Sequence, residues 1–277
     1  MEDAILALAV KYNGNFGNIF MGTQLEELIA KECVTKEQKN SAKKFVKEKG
    51  YKYTTLDSED YPPNIFKEMI SPPFVLFYMG NLNLLYARID YNTLINVTGT
   101  KTYDDYGEKV TKQVVKELCE RKNCIIVTGN NCGVESIIMD TAIKENCRII
   151  IVYNGGREEN EEKSLDEILK LLKENNYSEK DYLIVTQYPN TICNKKESDK
   201  NSRQMRTTRI AIAASDKLLI TASTEDHLYS SYVATRADKK VFIVPAPYDN
   251  KKLANNQLIA KGKNILATVD NLFEGYD

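Results

Sequence analysis

Short, uninterrupted apolar runs alternate with segments of helical period over most of the chain. The runs are FVLFYMG (74–80), TLINVTG (93–99), CIIVTG (124–129), RIIIVYNGG (148–156), YLIVTQYP (182–189), KLLITA (217–222) and VFIVPAP (241–247). None alternates polar with apolar residues, so each predicts a strand buried on both faces. Between them lie amphipathic segments, one on Val110, Val114 and Leu118, one on Val134, Ile137, Ile138 and Ala142, and one on Leu165, Ile168, Leu169 and Leu172. Ser164 with Glu167 forms a capping box at the start of the last of these. Strand after strand, each followed by a helix, predicts an α/β fold: a doubly wound, mainly parallel, Rossmann-like sheet. Its ligand crevice is expected beyond the carboxyl ends of the strands.

Residues 1–50 read differently, as helices only. One runs through Leu6 and Val10, a second through TQLEELIAKE, and a third opens on a capping box from Thr35 to Gln38. The chain therefore divides into a small helical domain (1–50) and an extended Rossmann-like domain (51–277). YTTLDSEDYPPN between them is expected to turn the chain, with Pro62 and Pro63 forbidding a continuing helix.

Composition narrows the function less than the pattern narrows the fold. The 277 residues carry 38 basic and 39 acidic side chains, so a nucleic-acid site must be a local patch. Six cysteines, at 33, 119, 124, 132, 147 and 193, have no zinc-knuckle spacing and read as reduced core thiols. No segment reaches the ~18 apolar residues of a membrane span and the N-terminus lacks the pattern of a signal peptide, so a cytoplasmic protein is expected. His227 is the single histidine; with no strained nucleophile turn beside it, it reads as an ordinary loop residue. Neither a metal nor a cofactor is expected.

The local patch exists. Between 195 and 209 six cations (Lys195, Lys196, Lys200, Arg203, Arg206, Arg209) face two acids (Glu197, Asp199). The arginines recur at i, i+3 and i+6, a pitch that can follow successive phosphates, which guanidinium recognises through its planar fork of donors. The bland alternative is a solvated helix face paired with nearby acids. Gly99, Thr100 and Lys101 in one strand-to-helix loop, and Gly129 and Asn130 in another, are further candidates: glycine there lets backbone approach an anion, which helix N-termini favour. Neither loop is a GxGxxG or P-loop sequence.

Taken in order, YPPNIFKEMISPPFVLFYMGN, INVTGTKTYDDYG, IIVTGNNCGVESIIMDTAI, QYP, TRIAIAASD, KKVFIVPAP and NNQLIAKG resemble the motifs of the DNA-processing protein A family (DprA, also called Smf) from about residue 51 to 265. The resemblance implies a homodimer that binds single-stranded DNA on the Rossmann-like domain, protects it and helps load a RecA-type recombinase in transformation, with no catalysed reaction. The winged helix that some members carry at the C-terminus is not expected here. By position, Lys101 replaces the family's first-loop arginine, Arg209 keeps the last residue of Arg-Asn-Arg, and Arg206 stands near the lost one. Asn131, Cys132, Glu135 and Met139 sit where the family has Ala, Arg, Asp and His. Two other readings remain at this point: a nucleotide-sensing binding module, and a nucleoside-monophosphate phosphoribohydrolase-like enzyme suggested by the glycines and glutamates of YNGGREENEE.

Overall fold

The computed structural model describes residues 1–14, 25–69, 71–90, 92–154, 163–189, 197–226 and 228–273. Cys193, Lys195, Lys196, His227 and most of the loop after Val152 lie outside them.

Three helices open the chain: α1 (Glu2–Lys11), α2 (Leu25–Glu32) and α3 (Lys36–Glu48). The capping box closes as the sequence predicts, with Gln38 N–H donating to Thr35 Oγ1 at 3.2 Å and Thr35 N–H to Gln38 Oε1 at 2.9 Å. Their apolar residues Ile5, Leu6, Leu8 and Val46 pack on Val75 and Phe77 of the sheet, so the module is docked on the main core.

The stretch after α3 does more than turn the chain. Lys52–Thr55 forms an edge strand, β1, antiparallel to β2 (Val75–Gly80). Four residues with no apolar run gave no strand signal. No helix runs through the two prolines, and a new one, α4 (Pro63–Glu68), starts at Pro63. At the first helical position its missing N–H costs nothing, because that donor is unpaired in any helix.

The remaining elements follow the alternation: β3 (Thr93–Gly99), α5 (Asp105–Cys119), β4 (Cys124–Gly129), α6 (Val134–Lys144), β5 (Ile149–Val152), α7 (Leu165–Glu174), β6 (Tyr182–Thr186), α8 (Glu197–Ala213), β7 (Lys217–Ala222), α9 (Tyr229–Arg236), β8 (Val241–Ile243), α10 (Asn255–Ala260) and β9 (Asn264–Ile265). They build one sheet in the order β1-β2-β6-β5-β4-β3-β7-β8-β9. β1 and β2 run antiparallel, and the pairs from β6 to β9 are parallel. Strand order steps outward from β3 to β6, then returns through α8 to place β7 on the other side of β3. Residues from α5, α6 and α7 fill one face of the sheet and residues from α4 and α8 the other, which is why these strands carry no polar alternation.

Several motif residues hold this frame together. Asp216 accepts from Leu94 N–H at 2.7 Å and so ties the end of α8 to the start of β3. Asn255, fully buried, donates to Thr221 and Val244 carbonyls and accepts from Ser223 N–H, clamping β7 to β8. Tyr61 Oη donates to Pro73 O at 2.6 Å. The described cysteines are free thiols, but Cys33 is exposed and Cys119 and Cys132 are half-buried, so only Cys124 and Cys147 match the core reading.

Candidate nucleic-acid interface

The first strand-to-helix loop is closed upon itself. Thr100 N–H donates to Ala222 O at 3.1 Å. Thr100 Oγ1 donates to Thr102 O at 2.8 Å and accepts from Thr224 N–H at 2.9 Å. Asp104 caps α5 by accepting from Gly107 N–H and also holds Asn250 Nδ2 at 2.7 Å. Gly99 is required for packing: a Cβ there would lie 2.3 Å from Ala222 O and 2.5 Å from Val134 Cγ1. Thr100 therefore spends its N–H on the neighbouring strand, and Gly99 provides close approach of protein to protein. Lys101 is exposed, and its backbone packs against Gly133.

The second loop opens onto a small, polar, solvent-open cleft. Asn96 and Thr98 of β3, Gly129 to Asn131 after β4, Glu135 of α6, Thr207 and Thr208 of α8 and Ser230 of α9 line it. Asn130, buried, is a brace: its amide donates to Lys163 O at 3.1 Å and accepts from Asn154 N–H at 3.1 Å. Gly129 makes room for a carboxylate, because a Cβ would lie 2.3 Å from Glu135 Oε2. Glu135 thus occupies the ground an incoming anion would take. It accepts from Thr98 Oγ1 at 2.8 Å, Asn131 N–H at 3.2 Å and Asn131 Nδ2 at 2.6 Å.

Burial pushes the Glu135 carboxyl above its ordinary 4.5, against those hydrogen bonds and the Lys101 charge, which pull it down. Because the folded state then holds the proton more tightly than the unfolded chain, this group lowers stability as pH rises from about 4.5 through its folded value. Glu135→Gln removes that penalty. Its stability relative to the unmodified chain, read by urea denaturation, is expected to shift in favour of the variant between pH 4.5 and 7. A difference that stays constant with pH would contradict it.

The three arginines sit on α8 but not in equivalent surroundings. Arg203 stacks its guanidinium on the Tyr188 ring at 4.5 Å, and its Nη1 is buried without a hydrogen-bond partner. Arg206 is half-buried. Arg209 is exposed and donates from Nε to Tyr229 Oη at 2.8 Å. None of the three is paired with a carboxylate among the described residues. Tyr232, exposed, continues the series along α9 beneath the Arg236 guanidinium at 5.8 Å. Sequence reasoning missed this tyrosine set; its signal was Tyr229 and Tyr232 three residues apart on one helix, 6.4 Å between ring centres. Lys200 lies on α8.

No group of residues among those described could hold a metal ion, and no described helix is long and apolar enough to cross a membrane. The phosphoribohydrolase-like reading rests on a loop that lies mostly outside the described residues, and among the described residues lining the cleft the one acid is Glu135.

The chain is thus a doubly wound, Rossmann-like α/β protein with a polar cleft past its strand ends and an arginine-bearing helix beside it. The sequence model of the family described as DNA recombination-mediator protein A matches residues 52–277, and the chain belongs to that family. Two solved structures share the fold. DNA processing protein A from Streptococcus pneumoniae superposes with a TM-score of 0.67 at 17% identity, over 99% of this chain and 93% of that one. DNA processing protein A from Helicobacter pylori, described for its single-stranded DNA binding mode, superposes with a TM-score of 0.61 at 21% identity, over 80% of this chain and 94% of that one. No curated protein sequence matches the chain.

Proposed function

We propose that the protein binds single-stranded DNA along α8 and α9, as a binding protein and not a catalyst. The observation that carries the reading is the absence of any described carboxylate partner for Arg203, Arg206 and Arg209. A merely solvated helix face would be laced with acids, as α5 is by Lys112 with Glu108. Unpaired guanidiniums next to tyrosine rings supply the two requirements of a single-strand binder, phosphate neutralisation and a surface on which bases stack. The family, and the Helicobacter relative described as binding single-stranded DNA, support the same ligand. The family resemblance also supports a homodimer that delivers DNA to a RecA-type recombinase in the cytoplasm during transformation.

The test is equilibrium binding of a labelled oligonucleotide in competition with unlabelled single strand, the matching duplex and a mononucleotide. The single strand is expected to compete best, and the mononucleotide only at far higher concentration. Equal competition by the mononucleotide would favour a nucleotide-sensing module instead.

A further inference from the structure

The arginine helix is not the most basic part of the chain. Between 36 and 52 seven lysines (Lys36, Lys39, Lys43, Lys44, Lys47, Lys49, Lys52) face two acids, Glu37 and Glu48. At 3.6 residues per turn, Lys36, Lys39, Lys43 and Lys47 of α3 fall within about 80° of arc, while Glu37, Lys44 and Glu48 share the adjoining flank. This stripe covers about 16 Å along the helix axis. Its residues are exposed, apart from half-buried Lys39. Lys43 pairs with Asp3 at 2.7 Å and Lys44 with Glu48 at 3.8 Å. Lys36, Lys39 and Lys47 have no carboxylate partner among the described residues. A face whose cations are set apart from its acids presents a positive field to a polyanion.

Packing points the stripe toward the arginine helix. Asp3 near the start of α1 holds Lys43 late in α3, and Lys11 at the end of α1 holds Glu32, three residues before the N-cap Thr35, at 2.7 Å. The two helices therefore run antiparallel, with Lys36 at the end where α1 stops. There Gly14 is pressed on the segment after β6: Gln187 Nε2 donates to Gly14 O at 3.3 Å, and no room is left for a Cβ. Tyr188, the next residue, is the ring on which Arg203 stacks.

We propose that α3 is a second phosphate contact, which takes up the length of single strand that runs on past Tyr188 and Arg203. The inference rests on the single-strand reading of α8 and α9 and extends it to the helical module. Lysine holds phosphate as a point charge on a flexible stem, without a fixed geometry, which suits a strand whose sequence is not read. A strand is favoured over an acidic protein surface because the stripe ends on the side of the molecule where the arginines already call for one.

The experiment measures affinity for a labelled oligonucleotide of roughly six nucleotides, a length for α8 and α9 alone, and for one of about 30. It compares the unmodified chain, a Lys36→Gln, Lys39→Gln, Lys47→Gln variant, and a control with Lys112→Gln, Lys116→Gln and Lys170→Gln, whose lysines are already paired with Glu108, Glu145 and Glu174. The α3 variant should bind the long strand about ten-fold more weakly at low salt, with the slope of log K against log salt lower by about 2, and bind the short one unchanged. The control should match the unmodified chain on both lengths. Should the triple variant lose its thermal transition, Lys36→Gln with Lys47→Gln, both at exposed positions, carries the comparison. Full affinity of the α3 variant for the long strand overturns the inference and leaves the arginine site standing. An equal loss in the control, or on both lengths, overturns it as an effect of net charge. If the unmodified chain binds neither length at low salt, this inference and the single-strand reading fall together.

Discussion

Replacing Arg203, Arg206 and Arg209 together by alanine is expected to weaken single-strand binding by roughly 100-fold at low salt, at about 1 kcal/mol for each lost charge-assisted contact. The dependence on salt should flatten as well. Each phosphate neutralised on a single strand adds about 0.7 to the slope of log K against log salt, so losing three should reduce that slope by about 2. The three changes lie on the exposed or half-exposed side of α8, and the buried residues that hold the helix, Ile210, Ala211 and Ala214, are untouched. Thermal unfolding of the variant should therefore resemble that of the unmodified chain, apart from the lost stacking of Arg203 on Tyr188. Full retention of affinity would mean that the stripe is solvated surface after all.

Gly133→Ala is expected to be the most damaging single methyl group on this face. Gly133 precedes α6 at φ 81° and ψ −134°, a backbone state that L side chains rarely adopt. A Cβ there would also fall 2.2 Å from Lys101 O and 2.5 Å from Lys101 Cα, both backbone atoms that cannot swing aside. Strain and overpacking together are worth roughly 2–6 kcal/mol. At about 2–4 °C per kcal/mol for a chain of this size, Tm should drop on the order of 10 °C. The same clash separates the first loop from the second, where Val134 N–H now donates to Thr100 O at 3.2 Å. A variant as stable as the parent would show that the two loops are not locked together.

The fold was legible because its strands are buried on both faces and say so in runs of Ile, Val and Leu. What escaped were β1, whose KYTT sequence pairs only at an edge, and the helix started by Pro63, where a breaker serves as an initiator. The site was legible as a place and not as a chemistry. Glycines after strands correctly mark close approach, but the sequence does not say to what: at Gly99 it is a neighbouring strand, and at Gly129 the chain's own carboxylate. Asn130 looked like a ligand-facing residue because it follows that glycine, yet both ends of its amide brace other loops. Motif residues far from the cleft, Asp216 and Asn255 among them, hold strands in register. Resemblance to a family thus points to a candidate site while leaving frame and lining mixed in one list of motifs. Glu135 takes its meaning from two partners, Thr98 on another strand and Asn131 in the loop before its helix, and only the folded chain brings them together.

Chemical footprinting of arginine with phenylglyoxal, read by mass spectrometry with and without a saturating single-stranded oligonucleotide, shows where the strand lies on the protein. Arg206 and Arg209 should be protected by the strand. Arg121, ion-paired with Asp270, and Arg148, held by Asn92, should react equally in both samples. An oligonucleotide that binds while Arg206 and Arg209 stay fully reactive would place the strand elsewhere and contradict the account.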